Sequence, residues 1–308
     1  MKPFSAFLAA AFAVALVSPA FSQGPEKPKD PAAKPEKPKF TKVLPALPDT
    51  LTLHEKIECS RVGDFAVLLD IYVPKAAGKY PAILLIHGGG WRARQVEADK
   101  PLAERLAQRG YVVAQVAYRL STDAKFPAAL HDCKAALRFL RAHAEEYHLD
   151  PERIGVAGGS AGGQLSGLMG MTGGVKELEG TGGEPEQSTA IKACIVMAAT
   201  MDFVESNRMQ NNEAVIQYLG PFAENKALFA QASPITHVKQ GCPPTLFLEG
   251  ENDTVKIGRP EMQVKLRALG VPTEVITLKG APHPFWMSQP WLDETAKAAG
   301  DWFDKYLK

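Results

Sequence analysis

The sequence predicts an α/β protein: a mostly parallel sheet with an antiparallel hairpin at its start and helices on both faces. Three observations carry that expectation. From residue 51 onward, short apolar runs alternate with stretches of helical spacing. The run Pro81–Ile86, PAILLI, is continuously apolar, as a strand buried on both faces should be. Ahead of it, two strand-like runs flank Gly63-Asp64, a hairpin turn pair.

The hairpin strands are Ile57–Val62 and Phe65–Val73. After PAILLI, Ala98–Arg109 has helical spacing, with Leu102 and Leu106 on one face and Gly110 as a stop. Tyr111–Ala117 reads as a strand. Pro127–Tyr147 reads as a long helix, since Leu130, Cys133, Leu137 and Leu140 step by three or four. Ile154–Ala157, Ile191–Ala198, Thr245–Glu249 and Glu274–Leu278 are the remaining strands, and Pro260–Leu269 and Trp291–Leu307 the remaining helices. Two segments break the alternation: 172–189, rich in Gly, Glu and Pro, and 201–233, a helical insertion. Both are candidates to cover a site.

The first 50 residues belong to a different regime. Residues 1–22 combine Lys2, an apolar run from Phe4 to Val17, and the small residues Ala20 and Ser22. This is the pattern of a cleaved signal peptide, with a secreted or periplasmic destination and no stable membrane anchor after cleavage. Residues 23–50, rich in Pro and Lys, lack the apolar content to order themselves and read as an extended linker. The domain is therefore 51–308. Lys+Arg 35 nearly cancel Asp+Glu 34, which speaks against nucleic acid as a partner. The four cysteines, Cys59, Cys133, Cys194 and Cys242, match no zinc spacing and read as small buried hydrophobes.

The chemistry gathers at the ends of strands, where sites of parallel sheets lie. Gly158-Gly159-Ser160-Ala161-Gly162 joins the Ile154 strand to a helix start at Gln164. Strand, sharp turn, serine and helix form a nucleophile elbow, in which the residues two before and two after the serine must be tiny. His87-Gly88-Gly89-Gly90-Trp91 follows PAILLI, and its backbone N–H groups are free to hold an oxyanion together with that of Ala161. His87 itself is expected to shape this loop. Asp253 follows the LFLEG strand, with Glu249, Glu251 and Asp202 as rival acids, and His283 follows EVITL. A serine is a poor nucleophile until a base takes its proton, and a carboxylate fixes that base's tautomer. Ser160, His283 and Asp253 suit those roles. Arg119 and Asp132 are spaced to form an ion pair bracing the loop between them. Trp91 is a candidate lining for the substrate. Trp286, near His283, either stacks on a substrate ring or packs in the core.

The motifs HGGGW at 87–91, YRL at 118–120 and LDPERIGVAGGSAGGQL at 149–165 resemble the lipase/esterase branch of the α/β-hydrolase superfamily, near the hormone-sensitive-lipase-like esterases. VKELEGTGG (175–183) and ASPITHV (232–238) bring the resemblance closer to secreted acetylxylan and feruloyl esterase-like carbohydrate esterases. The resemblance spans about 50–308. It implies an α/β-hydrolase fold, a Ser160–Asp253–His283 triad, oxyanion donors at Gly88, Gly89 and Ala161, and no cofactor or metal. The implied substrate is a small-molecule or polysaccharide ester, acetyl or feruloyl. A formamidase or peptidase on the same triad is the alternative activity, and a catalytically dead binding protein the alternative class. The sequence departs from the resemblance at Gly159, where many relatives carry Asp, in LEGEND before Asp253, and at Pro284 after His283.

Overall fold

The computed structural model describes residues 46–308. The expected signal peptide and most of the expected linker lie outside the described residues. One eight-stranded sheet runs in the order β1-β2-β4-β3-β5-β6-β7-β8. Its strands are β1 (Leu51–Val62), β2 (Phe65–Pro74), β3 (Tyr80–Ile86), β4 (Val112–Ala117), β5 (Leu149–Gly159), β6 (Ala193–Met197), β7 (Thr245–Gly250) and β8 (Thr273–Leu278). Strand β2 pairs antiparallel with β1 and β4, and the pairs from β4 through to β8 are parallel. This is the mostly parallel sheet with an antiparallel start that the periodicities predict.

Side chains along β3 alternate between two cores. Leu84 and Ile86 face one, and Ile83 and Leu85 the other. The first core lies under α2 (Ala128–Ala142) and α3 (Ala161–Met171). The second lies under α1 (Val96–Gln108) and α8 (Trp291–Leu307). Both faces are apolar because both are covered, and this is why PAILLI shows no alternation.

Several boundaries differ from the sequence expectation, each for a local reason. β1 begins at Leu51, six residues early, because Leu51–His54 pair with Ile71–Pro74 of the hairpin partner. The long helix ends at Ala142, where Leu149 N–H donates to Ala144 O and turns the chain into β5. β5 starts at Leu149, which pairs with Tyr80. The insertion at 201–233 breaks into α4 (Asn207–Gln210), α5 (Glu213–Leu219) and α6 (Phe222–Ala232). The side chains of Ser206 and Asn212 cap the first two helices. The remaining helix, α7 (Arg259–Ala268), lies between β7 and β8. No helix among the described residues is long and apolar enough to cross a membrane.

Segment 172–189 was expected as a cover; its contacts instead tie it to α2. Lys134 Nζ, fully buried, donates to Thr172 O at 2.8 Å and to Glu179 Oε1 at 2.9 Å. Arg138 donates to Glu179 O and Gly182 O, both at 3.1 Å. The segment is a strap against that helix, and Gly183 N–H donates to Ser60 Oγ of β1 at 3.0 Å. All four cysteines are free and buried.

The Arg119–Asp132 pair forms as its spacing predicts. Arg119 Nη2 lies 2.6 Å from Asp132 Oδ1, and the Arg119 backbone N–H donates to Asp132 Oδ2 at 2.8 Å. The carboxylate is 2 % exposed. Removing one partner of so buried a pair strands the other charge. Asp132→Ala is therefore expected to destabilise the fold by about 3–5 kcal/mol in denaturant unfolding. A loss below about 1 kcal/mol, the range of exposed pairs, would contradict this.

Candidate active site

Ser160 sits between β5 and α3 at φ 56°, ψ −120°. A non-glycine residue at positive φ is strained and persists only where its surroundings hold it. Here the surroundings are backbone. A methyl carbon at Gly162 would lie 1.9 Å from Ile86 O, and one at Gly158 would lie 2.4 Å from Gly162 O. Only hydrogen fits at either position, which is the steric demand that the spacing around Ser160 implies. Ser160 N–H donates to Met197 O at 2.9 Å, tying the turn to β6.

The loop after β3 lies directly opposite. A methyl carbon at Gly88 would stand 3.4 Å from Ser160 Cβ. The N–H groups of Gly88, Gly89 and Ala161 find no backbone acceptor among the described residues. Tyr118 OH donates to His87 O at 3.0 Å, and its ring stacks on the His87 imidazole at 4.3 Å. His87 Nδ1 lies 2.6 Å from Gly88 O. Burial holds the His87 pKa down, to about 4, so the ring is neutral at ordinary pH. It shapes the loop, as expected.

The acid and base loops are stapled together. Glu251 N–H donates to Leu278 O, Asn252 N–H to Ala281 O, and Gly280 N–H to Glu251 Oε2. His283 Nδ1–H therefore reaches Asp253 Oδ2 at 2.7 Å, and Ser160 Oγ–H reaches His283 Nε2 at 3.1 Å. Asp253 is 4 % exposed, and its Oδ1 accepts from Val255 N–H at 2.7 Å. Hydrogen bonds on both carboxylate oxygens fix its orientation. The rival acids are occupied elsewhere. Glu249 is held by Arg259 at 2.6 Å, Glu251 accepts from Gly280, and Asp202 accepts from Val204 N–H and Glu205 N–H.

Both candidate tryptophans are packed in the structure and neither lines an open substrate surface. Trp286 is 1 % exposed and offers no face to a substrate; it packs against Gly159 and His283. Trp91, at 7 %, is stacked on Tyr218 of α5 at 4.7 Å. Its indole N–H donates to Gln164 Oε1 at 3.1 Å, and Gln164 Nε2 donates to Ala232 O at 2.7 Å. Trp91 thus binds the glycine loop, α3 and the insertion to one another. Segment 201–233 does flank the site, and Arg208 of α4 donates to Thr254 O beside Asp253.

Sequence reasoning missed Asp99. This carboxylate on α1 is 1 % exposed, and Trp286 Nε1–H donates to its Oδ1 at 3.1 Å. Its charge pattern offered no signal, because neighbouring Glu97 and Lys100 make α1 look solvated there. Burial pushes the Asp99 pKa from 3.8 up to about 7, against a smaller lowering by the indole N–H. The native state then binds the proton more tightly than the unfolded chain. Its stabilising contribution is complete below about pH 4 and is lost as pH rises through about 7. Asp99→Asn should remove that component, flattening the fall in stability between pH 4 and 7 by on the order of 2–4 kcal/mol. Parallel stability–pH curves for the two proteins would contradict the burial argument.

The family model described as BD-FAE matches residues 69–260, which include Ser160 and Asp253 and stop short of His283. A probable carboxylic ester hydrolase, LipM, of Mycobacterium tuberculosis is 31 % identical over 189 residues, 58 % of this chain and 42 % of that one. The bifunctional GH43-CE protein of Bacteroides eggerthii superposes with a TM-score of 0.74 at 31 % identity, over 82 % of this chain and 38 % of that one. A truncated carbohydrate esterase from gut microbiota superposes at 0.73 and 24 % identity, over 84 % and 97 %, a likeness of fold. The chain spans 42 % of the length of each of the first two curated relatives it matches. Family match, sheet order and elbow agree: the chain belongs to the BD-FAE family and has the α/β-hydrolase fold of its esterase neighbours.

Proposed function

We propose that this protein hydrolyses carboxylic esters through an acyl-enzyme on Ser160, with acetyl groups on plant polysaccharide as the preferred substrate and feruloyl groups next. The observation that carries the reading is the hydrogen-bonded series Ser160–His283–Asp253, at 3.1 and 2.7 Å, beside the free N–H groups of the glycine loop. Relatives named as a carboxylic ester hydrolase and an esterase support the ester chemistry.

Each step uses a group already in place. As Ser160 Oγ attacks the ester carbonyl, its proton passes to His283 Nε2. Asp253 holds Nδ1–H and stabilises the imidazolium that forms. The carbonyl oxygen becomes an anion and accepts N–H bonds from Gly88, Gly89 and Ala161, each worth roughly 3 kcal/mol in the transition state. The leaving alcohol takes the proton from Nε2. Water then gives a proton to the same nitrogen and attacks the acyl carbon; as the acyl–Oγ bond breaks, that proton passes from Nε2 to Ser160 Oγ and the acid leaves. The carbonyl is electrophilic enough for this route with side chains and backbone alone. The N-terminal pattern of residues 1–22 supports export, which would bring the enzyme to an extracellular polymer.

Rates on p-nitrophenyl acetate, acetylated xylan, feruloylated oligosaccharides and N-formylkynurenine test the reading. Ester cleavage should dominate, and Ser160→Ala should lower kcat by roughly 10⁴-fold or more. Asp253→Asn should cost roughly 10³–10⁴-fold while leaving the fold intact. Fast formamide cleavage beside negligible ester turnover would overturn the esterase reading. Activity on short acyl esters alone would remove the polysaccharide.

A further inference from the structure

Two hydrogen bonds hold the His283 ring at its edges, to Asp253 and to Ser160. They fix the ring along one line and leave its rotation about that line open. Trp286, three residues on, meets the imidazole edge-to-face, with ring centres 5.3 Å apart and planes at 87°. The same indole fills the space beside the nucleophile. A methyl carbon at Gly159 would lie 2.1 Å from its Cζ2 atom. One rigid ring therefore touches both the base and the residue preceding Ser160. Phe285 closes its other side, with ring centres 5.2 Å apart.

Asp99 aims this indole. Its Oδ1 accepts the Nε1–H bond at 3.1 Å, and its Oδ2 has no hydrogen-bond partner among the described residues. No ion pair to Asp99 occurs among the described residues, although four cations of its own helix and the adjoining α8, Lys100, Arg105, Lys297 and Lys305, pair with other acids. A buried carboxyl group with one hydrogen bond and no cation is costly to keep. A purely apolar packing job would be done better by a leucine. What Asp99 adds is a directional acceptor for one N–H.

We infer that Trp286 is a positioning residue for His283 and the elbow, and that Asp99 acts through it by orienting the indole. The inference rests on the esterase reading of the same site. Its chemistry is geometric: rotation of the indole would let the imidazole tilt away from Ser160 Oγ, and misplacements of about 1 Å cost up to 10²-fold in rate. The consequence falls on kcat, because neither residue reaches solvent where a substrate binds.

The test uses the wild-type chain with Ser160→Ala, Trp286→Phe, Asp99→Leu and Asp99→Asn. Readouts are kcat and KM on p-nitrophenyl acetate, the labelling rate by a fluorophosphonate, and the unfolding midpoint. Trp286→Phe and Asp99→Leu should lower kcat and labelling rate by about tenfold with KM changed less than about twofold. Asp99→Asn keeps an acceptor oxygen in place and should restore most of the rate. Wild-type kcat in folded Trp286→Phe, or equal losses in Asp99→Asn and Asp99→Leu, overturns the inference while leaving the esterase reading standing. If Asp99→Leu does not fold, Trp286→Phe decides. A wild-type protein with no ester turnover and no label, or a Ser160→Ala variant that keeps its turnover, overturns both.

Discussion

At Gly162 the backbone of α3 comes so close to the end of β3 that a methyl carbon would lie 1.9 Å from the Ile86 carbonyl oxygen. The rest of the site depends on that approach. It presses the N-terminus of α3 against the strand ends, leaves the chain between Gly159 and Ala161 no relaxed path, and drives Ser160 to positive φ. Strain of this kind costs about 1–3 kcal/mol and persists only when packing on both sides outweighs it. The packing is present: α3 is buried along its whole length, and Ser160 N–H is bonded to β6. The same closeness brings the Gly88 loop within van der Waals reach of Ser160, so the hydroxyl and the N–H groups are placed by one constraint.

His283 and Asp253 arrive from the far half of the sheet. Parallel pairing of β7 with β8 sets their ends side by side, and a methyl carbon at Gly250 would lie 2.3 Å from Ala281 O. That contact brings the two loops close enough for their backbones to bond. Asp253 and His283 are then fixed by backbone geometry more than by their own attraction. The indole of Trp286 joins this half to the elbow, since it lies between His283 and Gly159 and reaches back to Asp99 on α1. A third tie, Trp91 on Tyr218 with its bond to Gln164, locks the insertion to the glycine loop. The site is a junction of four loops and three helices, each pinned by a named contact.

Most of this frame was legible in the sequence because its causes are local. A strand covered on both faces must be apolar throughout, and a steric limit at positions 158 and 162 must be met by glycine. Strand ends were less legible. Leu51–His54 and Leu149 are extended because of partners elsewhere in the chain, which periodicity does not contain. Trp286 illustrates the limit for side chains: a tryptophan beside a histidine suits a substrate platform and a packed core equally. Its partner Asp99 lies 187 residues away. The strap did leave a trace. Lys134 and Arg138 stand one turn apart beside the apolar stripe of α2, and such cations need a buried acceptor, supplied here by Glu179. In the sequence that acceptor was one glutamate among several.

The proposed route passes through a covalent acyl group on Ser160. Acid-quenching the protein within milliseconds of mixing with p-nitrophenyl acetate, then digesting it for mass spectrometry, tests that directly. One acetyl group is expected on the peptide carrying Ser160, formed together with a stoichiometric burst of nitrophenol. Turnover with no adduct there, or with the acetyl group on another residue, would contradict it.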